Sequence, residues 1–208
     1  MTRTTVIAAY RAFFGALVLA AVGTQLADLA SRGVLDPLHY FSYFTILSNL
    51  LAAAVFLILA VRRGERSAAF ENVRGLAVIC MTITGVVFSV LLSGTDVDTA
   101  IPWVNDVVHS VMPIVVAVDW LLDPPRVRLT YRQGLTWVIV PFIWLVYTMV
   151  KGPIVDKYPY PFLDPANGGY GTVAIYVVAV LVVMAFVAVA AVWLANATHD
   201  RDSNAQSS

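Results

Sequence analysis

The chain has 208 residues, of which 60% are hydrophobic and only 12% charged. Water-soluble domains carry about 25% charged residues, so this apolar excess is too large for one water-soluble core. The formal net charge of zero gives no electrostatic footprint for a nucleic-acid partner, and the single cysteine, Cys80, rules out an intramolecular disulfide and argues against a thiolate metal site.

The apolar residues are gathered into runs of bilayer-spanning length, separated by short polar connections. They predict an all-α fold, a polytopic membrane bundle of six transmembrane helices at about 7–30, 40–61, 73–93, 104–122, 133–151 and 171–195. The first run resembles a signal peptide, with Arg3 ahead of an apolar stretch. Arg11 interrupts that stretch and the run continues past Val22, which suits a retained signal-anchor. Cys80 falls inside the third run and reads as a small packing residue. Residues 199–208 are polar and predict a disordered tail.

The fifth connection, from Lys151 to Gly171, is the most distinctive. Prolines at 159, 161 and 165 prevent a regular helix and favour an extended, stiff path. Tyr158, Tyr160, Phe162 and Tyr170 suit a membrane interface. The segment reads either as an interfacial loop or as a lid over an outward-facing cavity.

Loop cations set the expected orientation, because cytoplasmic loops are enriched in Lys and Arg. Arg62, Arg63, Arg66, Arg74, Arg126, Arg128 and Arg132 fall in the second and fourth connections, with Arg3 and Arg201 on the tails. The opposite side holds only Arg32, Lys151 and Lys157, and its third connection carries Asp96 and Asp98. Both termini are therefore expected in the cytoplasm.

Ionisable and strongly polar residues inside spans are costly, so each is a functional candidate. Ser42, Thr45 and Asn49 share one face of the second helix, bordered by Ser48, and Asn105, Asp106 and His109 share a face of the fourth. Counted from helix starts near Tyr40 and Val104, Thr45 and His109 are each five residues in, roughly 7–8 Å below the start. A threonine hydroxyl needs a base to become a nucleophile, and a neutral imidazole can be that base. Asp106 or Asn105 could orient the ring, and Asn49 could donate to an oxyanion. Each polar residue also has a bland reading. Ser, Thr and Asn in membrane helices commonly bond to backbone or across a helix interface. Gln25 and Asp28 either line the same cavity or reach water. Asp119 is expected to pair with a nearby arginine, and His39 to sit at the interface.

Three motifs carry a resemblance: Phe41-Ser-Tyr-Phe-Thr-Ile-Leu-Ser-Asn49, His109-Ser-Val-Met-Pro113 followed by Asp119-Trp120, and Tyr158-Pro-Tyr-Pro-Phe-Leu-Asp-Pro165 with Gly169-Tyr-Gly171. Over nearly its whole length the chain resembles an uncharacterised bacterial family of six-helix integral membrane proteins. It is distantly similar to the androgen-induced membrane hydrolases, which cleave fatty acid esters of hydroxy fatty acids with an intramembrane threonine and histidine. Thr45, in a Phe-Thr context, and His109, shortly before a proline, are the matching positions. The resemblance implies an intramembrane lipid-ester hydrolase of the bacterial plasma membrane, with no cofactor or metal. Its partners would be a lipid ester and the bilayer. The alternative is a non-enzymatic channel or transporter using the same cavity, with His109, Asp106 and Asp28 as its polar groups. Haem or metal binding through His109 and His39 has little support, because carboxylate partners at ligand spacing are missing.

Overall fold

A computed structural model describes residues 2–62, 64–93 and 101–206, with side chains up to residue 198. Asp96, Asp98 and Arg63, and the side chain of Arg201, lie outside the described residues. The described chain forms six helices long and apolar enough to cross a membrane. They are α1 (Arg3–Ser31), α2 (Phe44–Val61), α3 (Ala68–Leu92), α4 (Pro102–Leu122), α5 (Tyr131–Val155) and α6, apolar over Gly169–Thr198. The protein is a multi-pass membrane helical bundle.

Local chemistry explains where the helices depart from the expected boundaries. α1 ends where Gly33 takes a left-handed φ of 67° and the Val34 N–H returns to the Leu29 carbonyl. The second helix does not start at residue 40. Asp36 caps a separate turn, Pro37–Tyr40, by accepting from the His39 N–H, and the Ser42 hydroxyl donates back to the His39 carbonyl. The chain restarts only at Phe44, so Ser42 lies in the break and off the face of α2. α3 begins early because the Ser67 side chain caps it, accepting from the Phe70 N–H. Thr130 and Gln133 form a capping box that starts α5 at Tyr131. α6 is helical to Gln206, so residues 199–206 extend the helix where a disordered tail is expected. Nothing between Ala195 and Gln206 is a glycine or proline that would stop it.

α1 packs along α2, α2 on α3, and α3 on both α4 and α6. α3 is the central element and buries Ile79, Cys80, Met81 and Ile83. Lipid is as apolar as a core side chain, so close approach at small residues supplies much of the packing. The Trp137 ring lies against Gly75, and Val192 and Ala188 against Gly134. The outward faces of α5 and α6 carry Ile143, Val150, Ile175, Val182 and Phe186, each at least 60% exposed, as a lipid-facing surface requires.

At one end, three arginines and three carboxylates are interlocked. Arg11 Nε meets Asp119 Oδ1 at 2.6 Å, and Arg11 Nη2 meets Asp123 Oδ2 at 2.7 Å. Arg74 bridges Glu71 at 2.7 Å and Asp119 at 3.2 Å, while Arg66 bridges Glu71 at 2.7 Å and Asp123 at 2.6 Å. Arg11, inside a span, is thereby fully matched, and Asp119 has its arginines. Removing one partner of such a buried pair costs about 3–5 kcal/mol, because it strands the other charge.

Candidate active site

The opposite end holds the candidate site. Thr45 is the second residue of α2, and His109 the eighth of α4. Their counts from the helix starts are thus unequal, contrary to the equal-depth expectation. The side chains still meet, with Thr45 Oγ1 and His109 Nε2 3.3 Å apart. Thr45 is 6% exposed and His109 5%.

Two irregular turns aim the imidazole. Residues 107–111 of α4 form a wide π turn in which the Met112 N–H donates to the Val107 carbonyl. Pro113 has no N–H to give the His109 carbonyl four residues earlier, which disfavours an ordinary α-turn there. α3 has its own π turn at Phe88–Leu92. Phe88 from that turn stacks on His109 with centroids 4.3 Å apart and planes 14° from parallel. Single π turns inside α-helices recur at functional sites. The approach is close: a Cβ on Gly85 of α3 would lie 2.8 Å from Pro113 Cβ.

The hydrogen bonds order the protons. Asn105 Oδ1 lies 3.0 Å from His109 Nδ1. An amide oxygen only accepts, so Nδ1 carries the proton and Nε2 offers its lone pair to Thr45. Tyr160 Oη accepts from the Thr45 backbone N–H at 3.2 Å and lies 3.1 Å from Thr45 Oγ1. Tyr160 can therefore donate to Oγ1, which leaves the threonine proton directed at His109. Burial pushes the Tyr160 phenol up from its ordinary value, against the hydrogen bonds from Thr45 and Phe44, so it stays a donor.

Of the other sequence candidates, Asn105 takes the orienting place. Asp106 is exposed and points away from the ring, because one residue further along a helix turns the side chain about 100°. Asn49 does not serve as an oxyanion donor. Its Nδ2 donates to the Thr45 carbonyl at 2.8 Å and to the Val108 carbonyl at 3.0 Å, tying α2 to the π turn. Ser48 is 2% exposed and lies off the cavity. Gln25 lines the cavity, whereas Asp28 pairs with Arg32 at 3.0 Å. His39 meets the Tyr43 hydroxyl at 3.1 Å near the mouth.

Tyr160 is the member that the sequence assigns only to an interfacial or lid segment. Pro159 and Pro161 flank it and hold it extended at φ −137°, ψ 139°. Phe162 stacks on it at 5.5 Å, and Trp144 and Tyr43 flank it. Leu163, fully buried, anchors the following turn, and Tyr158 packs on Gly152. The two prolines that flank it are the signal the sequence carries, and they mark an extended backbone without showing which of the loop's aromatic residues turns inward.

Thr45, His109 and Tyr160 face a cavity of about 290 Å³, walled by Val22, Val104 and Val108 and edged by Arg32, Asp36 and Lys157. A narrow apolar cleft of about 30 Å³ reaches the same three residues from the other side, between Ile83, Val87, Leu145, Phe162 and Met184. The arrangement is a hydroxyl with a base, an orienter for that base, and a donor beside the hydroxyl. It can carry acyl transfer. Comparison of the chain with protein-family models, curated proteins and solved structures finds no match.

Proposed function

We propose that the protein is an intramembrane hydrolase of apolar lipid esters, with Thr45 as nucleophile and His109 as base. The observation that carries the reading is the buried Oγ1–Nε2 contact of 3.3 Å on a cavity, with Asn105 fixing the ring's other nitrogen. In the proposed reaction His109 Nε2 takes the Thr45 hydroxyl proton as Oγ1 bonds to the ester carbonyl carbon. The carbonyl oxygen becomes an oxyanion beside Tyr160 O–H, which turns to it from Oγ1 as that oxygen bonds to carbon, while the Thr45 N–H, donated to Tyr160 Oη at 3.2 Å, holds the phenol there. That N–H belongs to the first turn of α2, the positive end of its dipole. Collapse breaks the ester C–O bond, and His109 returns the proton to the leaving alkoxide. Water, deprotonated by His109, then adds to the acyl carbonyl carbon; the acyl–Oγ1 bond breaks, His109 returns the proton to Oγ1, and a carboxylic acid is released.

The distant resemblance of the contexts of Thr45 and His109 to those of the androgen-induced membrane threonine hydrolases supports this reading. On the loop cations, both termini face the cytoplasm of a bacterial plasma membrane and the ester enters from the outer leaflet. The 158–165 segment, through Tyr160, would act as both lid and site wall.

The test is labelling of the purified protein with a fluorophosphonate probe and mapping of the modified residue, alongside hydrolysis of long-chain fatty acid esters. Labelling at Thr45, lost in both Thr45→Ala and His109→Ala together with hydrolysis, is the expected result. Hydrolysis that persists in Thr45→Ala, or its absence from the wild type on every ester tried, would overturn the assignment. The latter result would return the cavity to solute binding or transport.

A further inference from the structure

The end of the bundle opposite Thr45 has a second and larger cavity, of about 1,090 Å³. It lies among the start of α1, the end of α2, the start of α3 and the end of α4, and the ester-hydrolase reading makes no use of it. Its lining is of two kinds. Ile7, Leu59 and Leu121 form an apolar wall, in which Leu121 is 54% exposed. Above them the rim carries Arg3, Arg62 and Arg126, all exposed.

Charge matching separates the rim from the interior. Arg11 and Arg66, which also line the cavity, are bonded to Asp119, Asp123 and Glu71. The Arg3 and Arg126 guanidiniums bond to carbonyls, those of Leu122 and Gly64, while the Arg126 backbone N–H donates to Glu71 Oε1 at 3.2 Å. Among the described residues no carboxylate lies within 4.0 Å of the guanidinium nitrogens of Arg3, Arg62 or Arg126. Of the two carboxylates lining the cavity, Asp123 is held by Arg11 and Arg66, which leaves Glu65 against three rim guanidiniums. The surplus is therefore cationic and sits where three helices end. The start of α1 adds its positive dipole end. Basic residues at helix ends are ordinary in membrane proteins. A cavity that joins them to an apolar wall is a more specific feature, and basic pockets between helix ends suit anionic headgroups.

We propose that this cavity binds an anionic phospholipid, with the phosphate among Arg3, Arg62 and Arg126 and an acyl chain along the Ile7, Leu59 and Leu121 wall. Guanidinium forks match phosphate oxygens in pairs, which a single ammonium does not.

Retention of added lipid by the purified full-length protein in neutral detergent, read by native mass spectrometry, tests this without any turnover. The protein is titrated separately with dioleoyl-phosphatidylglycerol, dioleoyl-phosphatidylcholine and inorganic phosphate. The expected result is one tightly retained phosphatidylglycerol, weaker phosphatidylcholine and no displacement by millimolar phosphate. The Arg3→Gln/Arg62→Gln/Arg126→Gln variant should bind phosphatidylglycerol on the order of a hundred-fold more weakly, about five-fold for each arginine. The corresponding triple lysine variant should bind with an affinity between the two, because it keeps the charge and loses the paired bonds. If the glutamine triple does not fold, Arg62→Gln alone should show the five-fold loss. Equal retention by wild type and a folded glutamine variant would overturn the site. Displacement by inorganic phosphate would overturn the lipid as its occupant.

Discussion

Tyr160→Phe separates a catalytic tyrosine from one that only holds the loop in place. The substitution removes one oxygen and leaves the ring packed against Phe162, Trp144 and Tyr43. Two bonds go with that oxygen: acceptance from the Thr45 N–H at 3.2 Å and the contact with Thr45 Oγ1 at 3.1 Å. The first loss strands a buried backbone donor, which costs about 1–3 kcal/mol of stability. In a chain of this size that is a fall in Tm of about 2–12 °C. The second loss acts on the reaction. If Tyr160 donates to the oxyanion, its removal should lower kcat about a hundred- to a thousand-fold, as for a single oxyanion donor elsewhere. KM should move little, because the donor acts on charge that develops only in the transition state. Initial rates of fatty acid ester hydrolysis across a substrate range, with thermal unfolding of the same preparation, read both quantities. A fall in Tm with kcat unchanged would reduce Tyr160 to a structural donor and leave the Thr45 N–H as the oxyanion contact. A rise in KM alone would make the segment a lid without a chemical role.

Two further predictions rest on single contacts. Asn105→Ala removes the acceptor 3.0 Å from His109 Nδ1. It should lower kcat by about ten- to a hundred-fold, the scale of losing an outer partner of a working histidine. Asn105→Gln should not restore the rate, because its longer arm misplaces the oxygen. A wild-type rate in Asn105→Ala, measured in the same ester assay, would show that Phe88 stacking suffices to hold the ring. Asp123 supplies a pH test at the other end. Desolvation raises its pKa, but hydrogen bonds from Arg66 and Arg11 outweigh this and hold the carboxyl down at about 2. A depressed carboxylate contributes stability that is present above its unfolded value of about 4 and is lost as pH falls towards 2. The Tm advantage of wild type over Asp123→Asn should hold from neutral pH to about 5 and shrink between about 4 and 2. A difference that does not change with pH in thermal scans would show that the pairing with Arg66 and Arg11 contributes nothing.

The six spans and the Thr45–His109 pairing were legible in the sequence for different reasons. Spans are set by composition over about 20 residues, and no loop detail erases that signal. The pairing was legible because few polar residues lie inside the runs. Equal depth is not what brings the two together. Apolar runs mark where helices should start, whereas the Asp36 cap and the Ser42 bond to His39 that split off a separate turn depend on local backbone geometry. Asn49 failed as an oxyanion donor for a similar reason. Its spacing puts it on the face of Thr45, but spacing does not show that both amide hydrogens are taken by carbonyls of α2 and α4. Tyr160 could not be placed at all, since a loop residue has no periodicity to show which way it points. The Arg11–Asp119 pair is intermediate: each charge was visible, but the partner 108 residues away depends on how α1 and α4 pack.

The two ends of the bundle answer one constraint, scarcity of water, in opposite ways. At the basic end full charges are kept, and every interior arginine has carboxylates around it. At the site end the groups in contact with Thr45 and His109 are an amide, a phenol and an aromatic ring. The carboxylate next to the orienting amide, Asp106, is turned outward. An amide in the orienting place fixes the imidazole tautomer without burying a charge. It also gives less help to the imidazolium that forms when His109 takes the proton, because an oriented dipole is a weaker partner than an anion. In the proposed reaction, the missing counter-charge shifts the burden to the other side of the charge separation. The oxyanion must then be held well by Tyr160 and the first turn of α2. That is why the deep placement of one loop tyrosine, rather than the strength of the base, should govern the rate.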